Sequence, residues 1–317
     1  MTAGHETLIW AREAEVADAI NQRHENPVFL PDAPLNPNLL ASTDLGRVLV
    51  GADLVLMAVP SQFFRAVLHD AAALIGPTVP LLSLSKGIEE GTLKRMSEVA
   101  VEVLVDHDPN CVGVLSGPNI AREVLSGQPS ATVVAMSDQD AAGRAQRLIM
   151  TDTLRVYTNP DVIGCEIGGV VKNVIALAAG MAVGLGYGEN TLAALVTRGL
   201  AELARLGVAV GGQPLTFLGL AGIGDLMVTC HSSESRNHRV GEMLGRGQSL
   251  SEILSGLHAV AEGVRSCDPL LRLADRVGIE MPICAQVAAV LDGHQQPSEA
   301  VAALLHRDAK PELRGID

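Results

Sequence analysis

Aromatic residues are almost missing from this chain. Trp10, Phe29, Phe63, Phe64, Tyr157, Tyr187 and Phe217 are all there are, 2% of the sequence. The core must therefore be aliphatic. Lysine is scarce too: of 23 basic residues only Lys86, Lys94, Lys172 and Lys310 are lysines. Thirty-six acidic side chains outnumber the basic ones and leave a net charge of −13. That excess argues against a general nucleic-acid or membrane-surface binder, which needs a positive footprint. A phosphate-bearing ligand must then be held by a local basic pocket. The five cysteines (Cys111, Cys165, Cys230, Cys267 and Cys284) are odd in number, far apart and form no CxxC. Neither a disulfide framework nor a zinc knuckle is suggested. The nine histidines supply no HExxH, and no GxSxG occurs, so metal dependence and a serine-elbow nucleophile are not indicated. The start, Met1-Thr2-Ala3-Gly4-His5-Glu6, lacks the basic and apolar regions of a signal peptide. The longest apolar stretch, Gly168 to Gly186, contains Lys172 and Asn173, which predicts a buried helix and not a membrane span. A reducing cytoplasm is the expected compartment.

What is present is ample core material. Hydrophobic residues make up 48% of 317 positions, enough for about two domains of ~150 residues each. From Glu6 to Asn159 short apolar runs alternate with amphipathic stretches. Thr7–Trp10, Leu54–Val59, Pro80–Ser85, Val112–Leu115, Ala131–Met136 and Leu154–Thr158 read as strands. Near-continuous apolar strands alternating with helices predict a parallel α/β sheet covered on both faces. The loop Asn26 to Asn38, rich in Pro and Asn, is expected to be irregular. After about Asp161 only helical spacing remains. The expected division is an α/β domain over 1–160 and an all-α domain over 161–317, with a tail frayed from about Asp308.

A sheet of this rhythm suggests dinucleotide binding, and such a domain opens with a strand, a G-x-G-x-x-G turn and a helix. That turn is absent from the sequence. The chain begins instead on Gly4-His5-Glu6-Thr7-Leu8-Ile9-Trp10-Ala11-Arg12, which reads as the second strand. At the end of that strand an acidic residue would suit a ribose hydroxyl and an Arg a 2′-phosphate. Arg12 therefore favours NADP over NAD.

Five segments carry chemistry. Lys86 follows the apolar strand Leu81–Ser85, at the carboxyl end where open α/β sheets bind ligands. Lys172 lies in an apolar, glycine-rich helix. An ammonium group there must be paired, snorkelling or functional, and desolvation draws its pKa towards working pH. Ser116-Gly117-Pro118-Asn119 follows a strand and opens a helix, a natural anion site. Asp225 ends the glycine-rich string Gly219–Gly224 and could orient a lysine, and Ser235-Arg236-Asn237 offers a fork and polar partners for a phosphate.

These strings, in this order, resemble the bacterial NAD(P)-dependent glycerol-3-phosphate dehydrogenase family. They are Ser85–Glu89, Ser116–Pro118, Val171–Gly180, Gly222–Leu226, Ser235–Asn237 and Val260–Gly263. The resemblance implies a Rossmann-like domain followed by an all-helical substrate domain. It implies interconversion of dihydroxyacetone phosphate and sn-glycerol 3-phosphate with NAD or NADP, feeding glycerophospholipid synthesis. Lys172 would exchange the proton at C2. Lys86, Gly117, Asn119, Lys172, Asp225, Ser235, Arg236 and Asn237 would line the substrate site. Arg12, Phe29, Lys86, Ala121, Arg236, Val260 and Glu262 would contact the dinucleotide. No nucleic-acid partner and no stable membrane insertion are implied, and a homodimer is an assembly open to it. The family's opening strand and Gly-rich turn are not matched. The expectation is a misplaced start, with a truncated, cofactor-defective phosphate-ester-binding paralogue and a rearranged but active enzyme as alternatives; a related two-domain hydroxyacid dehydrogenase is the alternative activity.

Overall fold

The computed structural model describes residues 4–256 and 261–306. The chain folds into two compact units. Unit 1 comprises Met1–Val59, Phe63–Ser85 and Ser97–Val162, and unit 2 comprises Pro60–Gln62, Lys86–Met96 and Ile163–Asp317. The segments 60–62 and 86–96 thus belong to the helical unit, although they fall inside the first half of the chain.

Up to Asn159 the chain runs β1 (Leu8–Trp10), α1 (Ala14–Arg23), β2 (Glu25–Asn26), β3 (Leu30–Pro34), β4 (Leu40–Ser42), α2 (Leu45–Leu49), β5 (Val55–Met57), α3 (Ser61–Ala71), β6 (Leu81–Ser83), α4 (Met96–Val103), β7 (Val112–Ser116), α5 (Ala121–Leu125), β8 (Ser130–Met136), α6 (Gln139–Ile149) and β9 (Leu154–Asn159). The main sheet has the order β5-β6-β7-β8-β9. All its neighbours are parallel except β7 and β8, which are antiparallel. The sequence predicts parallel strands throughout, and the connection explains the exception. The five residues of α5 span about 7.5 Å, too little to carry the chain back along a strand of ~17 Å. Helix α6 begins at Asp138, whose carboxylate accepts the Asp140 and Ala141 N–H groups, and it buries Ala141, Ala142 and Ala145 against Val134 and Val156.

Strands β1 and β4 form a separate parallel pair over a small core of Ala11, Val16, Ala17, Ile20 and Ala41. Among the described residues no strand joins this pair to the five-stranded sheet. The Pro- and Asn-rich segment expected to be irregular contains the short antiparallel hairpin β2-β3.

Unit 2 is helical: α7 (Val162–Gly184), α8 (Glu189–Ala209), α9 (Pro214–Phe217), α10 (Asp225–His231), α11 (Arg236–Gly245), α12 (Leu250–Ser255), α13 (Glu262–Arg276), α14 (Pro282–Leu291) and α15 (Pro297–Leu305). Leu220–Gly224 forms a π turn ahead of α10. Helix α13 runs through Pro269, seven residues beyond its first. Helix α7 is predominantly apolar and long enough to cross a membrane, but 83% of its apolar window is buried in the protein. It is the axis of the unit's core, with Ile167, Val171, Ile175 and Leu177 fully enclosed.

Helices α7 and α11 cross with their backbones in contact. A Cβ at Gly180 would overlap the His238 carbonyl oxygen, and one at Gly241 would overlap that of Leu177. Small residues are the only ones that allow such an approach. Gly180→Ala is expected to destabilise the protein by at least ~1–3 kcal/mol, as overpacking does. The shift of the urea unfolding midpoint measures it.

Candidate active site

The site grows from α7. Lys172 is 6% exposed in the middle of that helix. Its ammonium group donates to Oδ1 of Asp225 and, at 2.8 Å, to Oγ1 of Thr229. Lys86 donates to the other carboxylate oxygen, Oδ2, at 2.6 Å. Asp225 is the first residue of α10, delivered by the π turn. Thr229 lies one helical turn later on the same face, and its hydroxyl donates to the Asp225 carbonyl at 2.6 Å. One buried carboxylate thus bridges two ammonium groups.

The electrostatics follow from burial and charge. Burial lowers the Lys172 ammonium to about 7, with the Lys86 charge pushing the same way against the pull of Asp225. For Asp225 burial acts upwards, but the two lysines and their hydrogen bonds outweigh it and hold the carboxyl below its ordinary range. The pair therefore holds an ionised carboxylate beside an amine poised to exchange a proton at neutral pH.

Amides and a carboxylate set this cluster in place. Asn173 Nδ2 donates to the Lys86 carbonyl at 3.0 Å. Asn237 Nδ2 donates to Asn173 Oδ1, and Asn237 Oδ1 accepts the Gly263 N–H, each at 3.0 Å. Glu262 accepts from Ser61 twice, from its N–H at 3.0 Å and its hydroxyl at 2.7 Å. Ser235 caps α11 by accepting the His238 N–H at 3.2 Å. Arg236 follows it and is exposed, while Asn237 is buried.

Lys86, Lys172, Asp225, Asn237 and Glu262 are thus joined in unit 2, with Ser235 and Arg236 on the adjoining turn. Arg12, Phe29, Gly117, Asn119 and Ala121 belong to unit 1. Arg12 follows β1, is well exposed, and pairs with Glu13 at 2.6 Å. Phe29 is 55% exposed in the β2-β3 hairpin, which Arg122 ties to α5 by donating to the Pro31 carbonyl at 2.7 Å. Ala121 opens α5. Gly117 has φ +129 after β7. Asn119 donates to Thr132 at 2.9 Å, and its Oδ1 and the Ser116 hydroxyl are buried without partners. Val260 lies outside the described residues.

Among the described residues one group brings metal-type donors together: Asp108, Cys111 and Asp138 in unit 1. Its two carboxylates accept backbone N–H groups as helix caps, which accounts for their placement. Sequence reasoning missed Thr229, Asn173 and Ser61. Thr229 had a usable signal, its i,i+4 spacing from Asp225 on a helix.

Residues 1–142 match the family model described as NAD-dependent glycerol-3-phosphate dehydrogenase N-terminus, and residues 161–302 match its C-terminus. The chain belongs to the NAD-dependent glycerol-3-phosphate dehydrogenase family. Among relatives of this dehydrogenase, a glycerol-3-phosphate dehydrogenase (NAD(P)+) of Parafrankia is 51% identical over 98% of this chain and 93% of its own length. One from Thermobifida fusca is 49% identical over 98% and 92%. The crystal structure of the glycerol-3-phosphate dehydrogenase of Coxiella burnetii matches with a TM-score of 0.90 and 35% identity, over 96% of this chain and 92% of that one. The two matched dehydrogenase regions contain every candidate residue named above.

Proposed function

We propose that this chain interconverts dihydroxyacetone phosphate and sn-glycerol 3-phosphate, with Lys172 exchanging the proton at the C2 oxygen. The observation that carries this reading is the buried Lys172–Asp225–Lys86 cluster. Bound NAD(P)H supplies the hydride. As the C2 oxygen gains charge, the Lys172 ammonium donates its proton to it. Lys86 brings a second ammonium group to the developing oxyanion, where low dielectric makes its attraction most effective. Asp225 and Thr229 orient the Lys172 amine. Ser235, Arg236 and Asn237 offer the phosphate a hydroxyl, a guanidinium and an amide. In the reverse direction the neutral Lys172 amine accepts the proton.

The residues present fit a dinucleotide. Arg12 is exposed just beyond the carboxyl end of β1, suited to a 2′-phosphate. The unpartnered Ser116 hydroxyl and Asn119 oxygen at the end of β7 are polar atoms that still need a partner. Arg12, Phe29, Lys86, Ala121, Arg236, Val260 and Glu262 are the residues assigned to it. The same reading places the enzyme in the cytoplasm.

Two measurements test the proposal. NAD(P)H oxidation must depend on dihydroxyacetone phosphate, and its absence would sink the reading. For reduction, kcat/KM should fall as pH rises through about 7, the value of Lys172, because the acid form is lost. For oxidation it should rise through the same value. A profile flat across neutrality in both directions would remove Lys172 from the proton transfer.

A further inference from the structure

The segment bearing Lys86 is a hairpin. Ile88 and Arg95 form an antiparallel bridge, the Glu89 N–H donates to the Lys94 carbonyl at 2.9 Å, and Ile88 and Leu93 are buried in the helical core. One face of α7 receives it. Glu166, its side chain 4% exposed, forms an ion pair with Arg95, itself 14% exposed. Asn173 holds the Lys86 carbonyl. These two helix positions are related by i,i+7 and so share a face. Between them lies Gly169, where a Cβ would come within 3.1 Å of Lys86 Cγ. The face Glu166-Gly169-Asn173 is thus a bed for the hairpin, anchored at both ends and open in the middle for the lysine stem. Lys172, on the same helix, meets Lys86 at Asp225.

We propose that Glu166 is a positioning residue: through Arg95 it pins the hairpin to α7 and sets the Lys86 ammonium against Asp225. The proposal rests on the reading of Lys172, Lys86 and Asp225 given above. Without the pair the hairpin is still held by buried Ile88 and Leu93 and by the Gln62 hydrogen bonds to Ile88 and Glu90, but the strand bearing Arg95 loses its ion pair to α7 and the Lys86 stem can shift over Gly169. Lys86 would then leave Asp225, and Lys172 would gain the carboxylate to itself. A simple stabilising pair would change the unfolding free energy without altering what Lys172 experiences.

Lysine scarcity makes this measurable. With only four lysines in the chain, Lys172 can be followed by NMR of ¹³C-labelled lysine and assigned by its loss in Lys172→Met. The groups that face it are Asp225 and Cys230 on α10 and Lys86 on the hairpin. The test variant is Arg95→Met with Glu166→Leu, which removes both charges and leaves neither buried alone. Its Lys172 titration is expected to rise by about one unit as the neighbouring cation departs. Its kcat/KM for dihydroxyacetone phosphate is expected to fall about 10–100-fold from misplacement. Arg95→Lys, which keeps the charge, should restore most of both. Glu166→Gln should shift the titration the same way by a smaller amount. A folded double variant with the wild-type titration overturns the proposal. So does loss of folded protein in both the double variant and Glu166→Gln, which would make the pair structural. The titration needs no turnover, so it decides the role of Glu166 separately from the activity assay that decides the function.

Discussion

Lys172→Met is expected to lower kcat for dihydroxyacetone phosphate reduction by about 10²–10⁴-fold, the usual contribution of a positioned general acid. The substitution keeps the apolar stem and removes the ammonium. Asp225 retains Lys86 at 2.6 Å, so no carboxylate is stranded and the fold should survive. Stability supplies a second signature. Folding lowers the Lys172 ammonium from 10.5 to about 7. Between those values the unfolded chain holds a proton that the folded chain has released, so stability rises with pH across that window. Below about 7 both states are protonated and the full cost of the buried cation is borne. Lys172→Met should abolish this rise. Urea unfolding across that pH range, with kcat beside it, checks both. A variant that keeps wild-type turnover would end the assignment of Lys172.

Asp225→Ala carries the second large effect. Asp225 is 1% exposed and is the acceptor for both lysines and a neighbour of Thr229. Removing one partner of a buried pair costs about 3–5 kcal/mol, because the remaining charge is left in low dielectric. Here the protein has an escape, since Lys172 can shed its proton. The loss should therefore be largest below pH 7, where deprotonation is expensive, and smaller on the alkaline side. Lys172 itself should titrate below its wild-type value of about 7. Chemical unfolding followed by far-UV circular dichroism on either side of neutrality measures the difference. Equal destabilisation at both pH values would mean that Asp225 acts through packing and not through charge.

The parts of this site legible in the sequence are those that break a local rule. A lysine inside an apolar helix needs an explanation wherever it occurs, and so does a carboxylate ending a run of glycines. Thr229 breaks no local rule, since Val228-Thr229-Cys230 reads as ordinary helix, and only its i,i+4 spacing from Asp225 marks it. Glu166 and Arg95 are separated by 71 positions, and nothing in either neighbourhood names the other. The fold divides in the same way. The alternation of apolar runs and amphipathic stretches marks strands and helices, but a short apolar strand has no direction written in it. The antiparallel β7-β8 pair depends on how far five-residue α5 can reach. The proline at 269 signals a helix start, yet the helix passes through it because buried Gly263, Ser266, Cys267 and Leu270 hold the face on both sides.

The glycine crossing of α7 and α11 has a dynamic consequence. Backbones in direct contact leave no compressible side-chain layer between them. Helix α11 cannot slide or roll on α7 without a carbonyl meeting a Cα. Ser235, Arg236 and Asn237 therefore travel with Lys172 as one rigid body. Whatever conformational change accompanies substrate entry must be taken up by segments outside that crossing. The crossing thereby fixes the spacing between the proposed phosphate anchor, Ser235 to Asn237, and the proposed proton donor, Lys172.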